Sequence, residues 1–172
     1  GALKLTHAFD QFDIDIRGRT ALDIGASTGG FTDVMLHRNA RHVVALDVGR
    51  GQLDWRLRND SRVTVMEGTN ARYLTPDDFP VSLRAFSCVT IDVSFISLKL
   101  ILPVIPPLLT TNSDIAALVK PQFEAGRNEV GKGGIVRDPM IHARVVEEVI
   151  AAADTLGLRH MSTTPSPILG AE

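Results

Sequence analysis

Apolar positions change period repeatedly along this chain. Leu3, Leu5, Ala8, Phe9 and Phe12 roughly follow helical spacing, which predicts a helix over residues 2–12. Short apolar runs predict strands at 19–24, 42–47, 62–66, 87–92, 114–119 and 157–163. Further helices are predicted at 29–38, 51–58, 98–109 and 138–156. The last has the clearest punctuation: Asp138 can cap it, Pro139 suits its first position and Gly157 can end it. Ile141, Val145, Val149 and Ala152 give that helix an apolar stripe. Strands alternating with helices predict an α/β fold of βαβ units, with a mostly parallel sheet and helices on both faces. The glycine-rich stretch Pro121–Arg137 is long for a loop in such a fold, and loops of that length tend to be functional or mobile.

Composition narrows the class. The chain has 172 residues, which suits one domain spanning 1–172. An apolar fraction of 44% supports a packed core and argues against disorder. The net charge of −2 gives no global footprint for nucleic acid, so any RNA contact needs a local patch or another domain. Cys88 has no partner for an internal disulfide, which fits a reducing, cytoplasmic setting. No apolar run reaches the ~18 residues of a membrane span. The nearest, Leu100 to Leu109, is cut by Pro103, Pro106 and Pro107. No metal-ligand spacing stands out.

The most informative segment is Leu22-Asp23-Ile24-Gly25-Ala26-Ser27-Thr28-Gly29-Gly30-Phe31. A buried strand, a glycine turn and an amphipathic helix in that order make a nucleotide-shaped site. Dinucleotide enzymes favour Gly-x-Gly-x-x-Gly, and here Ser27 stands where the second glycine lets a pyrophosphate approach. An S-adenosylmethionine site has no pyrophosphate to accommodate, and Asp23 could face its ammonium group directly or through water. The plain alternative is an ordinary strand-to-helix turn. Asp47, ending the next apolar run, could accept hydrogen bonds from ribose hydroxyls; otherwise it caps a helix. Thr69 or Asn70, after the third strand, could read an adenine edge; an Asx-type turn serves equally well.

Two further strands end in Ile91-Asp92 and Val119-Lys120. Ligands in open α/β sheets bind beyond the carboxyl ends of the strands, so Asp92 and Lys120 point into one crevice. A lysine in that position is costly unless it is paired or used. Desolvation pushes a lysine toward its basic form and a neighbouring carboxylate opposes that. A structural Lys–Asp ion pair is the bland alternative.

Five motifs, in order, resemble the TlyA family: Asp23 to Asp33, Ala45 to Gly49, Ile91 to Ser97, Leu118 to Gly126, and Val130 to Pro139. Members are bacterial proteins often labelled hemolysins, and they are similar to FtsJ-type ribosomal RNA 2′-O-methyltransferases. The resemblance implies a Rossmann-like class I methyltransferase fold, S-adenosyl-L-methionine as cofactor and ribosomal RNA or ribosomal subunits as partner. Gly25, Ala26, Ser27, Thr28, Gly29, Gly30, Asp23, Asp47, Thr69, Asn70 and Asp92 would then surround the cofactor. The family's catalytic set is Lys-Asp-Lys-Glu; its first three members fall on Lys4, Asp92 and Lys120. In that scheme Lys120 activates a ribose 2′-hydroxyl while Asp92 and Lys4 orient it, and the oxygen attacks the sulfonium methyl in line.

Two departures accompany the resemblance. The family's catalytic Glu belongs to a segment after Ser166-Pro167, and Glu172 is read as a loop residue ahead of it. That segment also supplies the last antiparallel strand, between the fifth and sixth, so the sheet is expected to lack it, and either the chain as given is a poor enzyme or the native protein has residues beyond it. Members also carry a small N-terminal RNA-binding domain, which these residues do not include. Arg127, Lys132 and Arg137, with Lys99 near the mouth of the site, are local candidates for phosphate contact, or else ordinary solvated charge. Gly131-Lys132-Gly133-Gly134 lacks the ending and strand spacing of a phosphate loop, which argues against an NTPase. The competing functions are a membrane-active hemolysin and a non-catalytic RNA-binding module on the same fold.

Overall fold

The computed structural model describes residues 1–170; Glu172 lies outside the described residues. Its centre is a five-stranded parallel sheet: β1 (Thr20–Ile24), β2 (His42–Leu46), β3 (Val63–Met66), β4 (Phe86–Ile91) and β5 (Leu109–Ala117). The spatial order is β3-β2-β1-β4-β5, with every neighbouring pair parallel. The order reverses beside β1, which creates a crevice at the carboxyl ends of β1 and β4.

Alternation along the strands divides the core. Ala21, Val43, Ala45 and Cys88 face α1 (Ala2–Phe12) and α2 (Gly30–His37), where Leu5, Phe9 and Met35 cover them. Leu22, Ile24, Val44, Leu46 and Ile91 face the other way, onto α4 (Leu98–Ile101) and α6 (Pro139–Thr155). Both faces are therefore dry, which is why the central strands read as nearly continuous apolar runs. In α6 the Asp138 side chain accepts the Met140 N–H and Pro139 occupies the first turn, as its sequence predicts. Val145 and Val149 carry its buried stripe.

Three expected elements differ. Over 98–109, α-helix persists only through Ile101, then breaks into 3₁₀ turns at Leu102–Val104 and Pro106–Leu108. Pro103, Pro106 and Pro107 remove the N–H groups that a continuous helix needs, and β5 begins at Leu109, earlier than its apolar residues suggest. Over 51–58 only α3 (Trp55–Arg58) is helical, because Gly51 turns at φ +72° and Asp54 caps from inside the expected span. The strand expected at 157–163 is irregular and largely exposed. Among the described residues β5 is the edge strand and this segment pairs with no neighbour. The long glycine-rich segment contains α5 (Pro121–Glu124) and two 3₁₀ turns, Arg127–Glu129 and Lys132–Gly134.

Candidate active site

The glycine turn is wedged between the ends of β2 and β4. Gly25 and Ala26 donate their N–H groups to the Leu46 carbonyl at 2.9 and 3.0 Å. A Cβ on Gly25, at φ +83°, would stand 2.1 Å from the Asp92 carbonyl oxygen, so only glycine fits. Ser27 itself adopts a left-handed conformation at φ +53°, and its N–H donates to Asp47 Oδ2 at 2.7 Å. The other Asp47 oxygen accepts the Gly49 N–H at 2.8 Å. The Thr28 carbonyl accepts the N–H of Asp54, tying the turn to α3. Gly29 precedes α2, and Gly30 lies against the start of α1, where an added Cβ would be 3.0 Å from the Ala2 nitrogen. Lys4 stands two residues beyond Ala2 in α1. Lys4 is half-buried and makes no ion pair among the described residues.

Asp23 sits beneath the turn. Its carboxylate is fully enclosed, with Thr32 donating to Oδ2 at 2.7 Å and Thr90 to Oδ1 at 3.1 Å. Burial pushes its pKa up to about 6; the two hydroxyls oppose the rise and the charge of Asp92 adds to it. The structure thus places Asp23 as a buried tie between β1, α2 and β4, with no face open to the crevice. Beyond β3, Thr69 donates its hydroxyl to the Glu67 carbonyl at 3.1 Å, and Asn70 Oδ1 accepts the Arg72 N–H at 3.1 Å. The Asx-type turn is the geometry observed there. The Arg50 guanidinium packs on Gly68, where a Cβ would come within 2.4 Å of it; nothing in the sequence pattern pointed to Arg50.

Asp92 and Lys120 meet. Lys120 Nζ is 2.6 Å from Asp92 Oδ1 and donates to Ser94 Oγ at 3.1 Å. Both charged side chains are about four-fifths covered, with exposures of 18% and 21%. Backbone bonds carry the ladder just past the strands: the Asp92 N–H donates to the Ile24 carbonyl and the Leu118 N–H to the Ile91 carbonyl, both at 2.9 Å. Three residues that pattern reading passed over complete this half. Phe95, at φ +64° and 90% exposed, packs on Phe123 with ring centroids 5.1 Å apart. Glu124 accepts from Ser97 Oγ at 2.5 Å and from the Leu98 N–H at 2.7 Å. Their signal was position: each closely follows a chemically important strand end.

The glycine-rich segment is pinned at several points. Besides Glu124, Glu129 receives a two-pronged contact from Arg144, at 2.6 and 2.5 Å. That guanidinium pulls the Glu129 pKa down to about 2. His142 also contacts the Val136 carbonyl. Between these anchors Arg127, Lys132 and Arg137 are exposed, and none forms an ion pair among the described residues. Lys99, by contrast, is paired with Glu148 at 3.1 Å.

A family model described as FtsJ-like methyltransferase matches residues 1–172. The chain belongs to the FtsJ-like methyltransferase family. Within it, the chain is 52% identical over 172 residues to YqxC of Bacillus subtilis, named as a candidate rRNA methyltransferase; the match covers all of this chain and 60% of the relative. It is 51% identical over 170 residues to TlyA of Mycobacterium tuberculosis, named 16S/23S rRNA (cytidine-2′-O)-methyltransferase, covering 99% of this chain and 62% of the relative. The chain thus spans about three-fifths of the length of these relatives. A solved hemolysin candidate from Streptococcus thermophilus superposes with a TM-score of 0.90 at 50% identity, covering 99% of this chain and 61% of that one. An S-adenosylmethionine-dependent methyltransferase from Listeria monocytogenes, at 18% identity and a TM-score of 0.55, covers 72% of this chain and 56% of its own and shares the Rossmann-like fold. The TlyA resemblance and the fold class read from the sequence are both borne out.

Proposed function

We propose that residues 1–172 form most of the catalytic domain of an S-adenosylmethionine-dependent enzyme that methylates ribose 2′-hydroxyls of ribosomal RNA. One observation carries the reading: Gly25 of the nucleotide-shaped turn lies against the backbone of Asp92, whose side chain holds Lys120 at 2.6 Å. A cofactor half and a proton-handling half therefore share one wall.

The donor set suits this cofactor. Asp47 borders the turn and accepts the Ser27 N–H, so an amide that a pyrophosphate would use is already engaged by a carboxylate. Such a site favours a cationic sulfonium and ammonium ligand over a pyrophosphate, which needs free amides and positive charge. Residues 25–30 would cradle the cofactor, Asp47 would meet its ribose hydroxyls, and Thr69 and Asn70 would border its adenine. Asp23 would act from below by fixing the turn. When bound, S-adenosylmethionine supplies an electrophilic methyl group. Lys120 Nζ, held by Asp92 and Ser94, has one N–H left for a ribose 2′-oxygen, and as an ammonium it lowers the pKa of that hydroxyl; to take the hydroxyl proton itself as the oxygen attacks, it must first release one of its own to water. Lys4 would orient the same hydroxyl from α1.

The relatives named rRNA (cytidine-2′-O)-methyltransferase support the substrate. So does the exposed Phe95 ring beside the pair, a surface on which an unstacked base can rest. A ribosomal substrate goes with a cytoplasmic protein. Among the described residues no helix is long and apolar enough to cross a membrane. The deciding experiment maps 2′-O-methylation on ribosomal subunits treated with the full-length protein and with its Lys120→Ala variant. Loss of methylation with intact cofactor binding is expected. Retained methylation in Lys120→Ala would assign the chemistry to another group.

A further inference from the structure

We infer that Glu124 is a positioning residue for Lys120, an inference that rests on the proposed methyl transfer. A lysine side chain is long and rotatable, so the accuracy of its amine depends on how firmly its backbone is held. Lys120 lies past the end of β5, at the start of the single turn α5, where ladder bonds no longer fix the chain. Glu124 closes that turn and reaches across to the start of α4, occupying both carboxylate oxygens with the Ser97 hydroxyl and the Leu98 N–H.

Two segments are thereby joined at both ends. Asp92 through Leu98 leads from β4 into α4, and Lys120 through Glu124 leads out of β5. The Lys120–Asp92 pair links them at the crevice and Glu124 links them at the far end. Phe95 packs on Phe123 between the two links. Glu124 is anchored to a packed part of the core: Leu98 and Ile101 of α4 are each 1% exposed. Since both its oxygens are engaged away from the amine, Glu124 acts through the backbone and does not touch the reacting atoms.

The test uses the full-length protein with Glu124→Ala and Glu124→Gln. Glutamine can accept from Leu98 and donate to Ser97, so it preserves both links. For Glu124→Ala, kcat on ribosomal subunits should fall about 10- to 100-fold while KM and the Kd for S-adenosylhomocysteine stay within about twofold, since only orientation is lost. Glu124→Gln should stay within about threefold of wild type, because its amide repeats the hydrogen bonds. Labelling of Lys120 by an amine-reactive reagent, read by mass spectrometry, should quicken several-fold in Glu124→Ala only. A Glu124→Ala enzyme with unchanged kcat, or one impaired with Lys120 labelling unchanged, overturns the inference. If Glu124→Ala does not fold, Ser97→Ala removes one link together with the cap it makes on the Lys99 N–H at 3.1 Å; kcat should then fall and Lys120 labelling quicken together, and either one unchanged overturns the inference as well. If the wild-type protein methylates no rRNA, the functional reading fails, yet Lys120 labelling still decides whether Glu124 holds the lysine.

Discussion

Ser27 donates its backbone N–H to Asp47 at 2.7 Å, across 20 positions of sequence. The glycine turn and the end of β2 are thus tied by the carboxylate proposed to meet the cofactor's ribose. Asp47→Ala would release the Ser27 and Gly49 amides and remove the ribose partner together. Hydrogen bonds to a charged group are each worth about 1.5–3 kcal/mol, so S-adenosylhomocysteine should bind about 10- to 100-fold more weakly. Titration calorimetry checks this, and an unchanged Kd would take Asp47 out of the cofactor site.

Asp23 makes stability depend on pH in an unusual direction for a carboxylate. Burial raises its folded pKa to about 6, from 3.8. Folding therefore favours the protonated acid. Its contribution is fully present below pH 3.8 and is lost as pH rises through 6. Asp23→Asn removes the titration while keeping a side chain that can bond Thr32 and Thr90. Relative to wild type, the variant should gain about 3 kcal/mol between pH 3.5 and 7.5, at about 1.4 kcal/mol per unit. Glu129, held low by Arg144, pushes the other way but is shared by both proteins and cancels. Urea unfolding of the pair at both pH values gives the difference; a pH-independent gap would mean that folding leaves the Asp23 pKa at its unfolded value.

Gly25 and Gly51 separate two reasons for a glycine. Both have positive φ, at +83° and +72°. An added Cβ at Gly51 meets nothing within 4 Å, whereas at Gly25 it strikes backbone at Asp92. Gly51→Ala should cost about 1 kcal/mol of conformational strain. Gly25→Ala should cost several times more, about 3 kcal/mol or above, since β4's end must shift. Thermal melts of the two variants rank them, and equal losses would show that the turn and β4 can separate freely.

Much of this architecture was legible because periodicity and punctuation agreed. Residues 2–12 carry a stripe, the span from Asp138 to Gly157 carries a stripe and end signals, and both are helices. The segment 98–109 has the stripe but also three prolines, and the missing N–H groups decided it. The strand expected at 157–163 failed for a nonlocal reason: a strand is defined by its neighbour, which composition cannot supply. In the site, the meeting of Asp92 and Lys120 followed from strand ends alone. The enclosure of Asp23 did not, because a carboxylate next to a glycine turn can face up into a crevice or down into the core. Two threonines, 9 and 67 residues away, hold it down. Glu124 lies within the Leu118–Gly126 motif, but its partner on α4 is 26 residues away and no spacing rule links them.

Arg127, Lys132 and Arg137 are exposed cations on a segment that Glu124, Glu129 and His142 hold in place. A fixed scaffold with unpaired charges suits phosphate contact, whereas Arg17 is neutralised by Asp15 at 2.7 Å. Each cation that displaces a counterion from RNA adds about 0.7–0.9 to the slope of log K against log salt. Replacing all three by Gln in the full-length protein should lower that slope by about 2–3 and weaken binding to ribosomal subunits most at low salt. Arg17→Gln should leave the slope unchanged, because its charge is already matched. Filter binding across a salt series measures both. A triple variant with the wild-type slope would show that this loop faces solvent in the complex and that the phosphate contacts are made elsewhere.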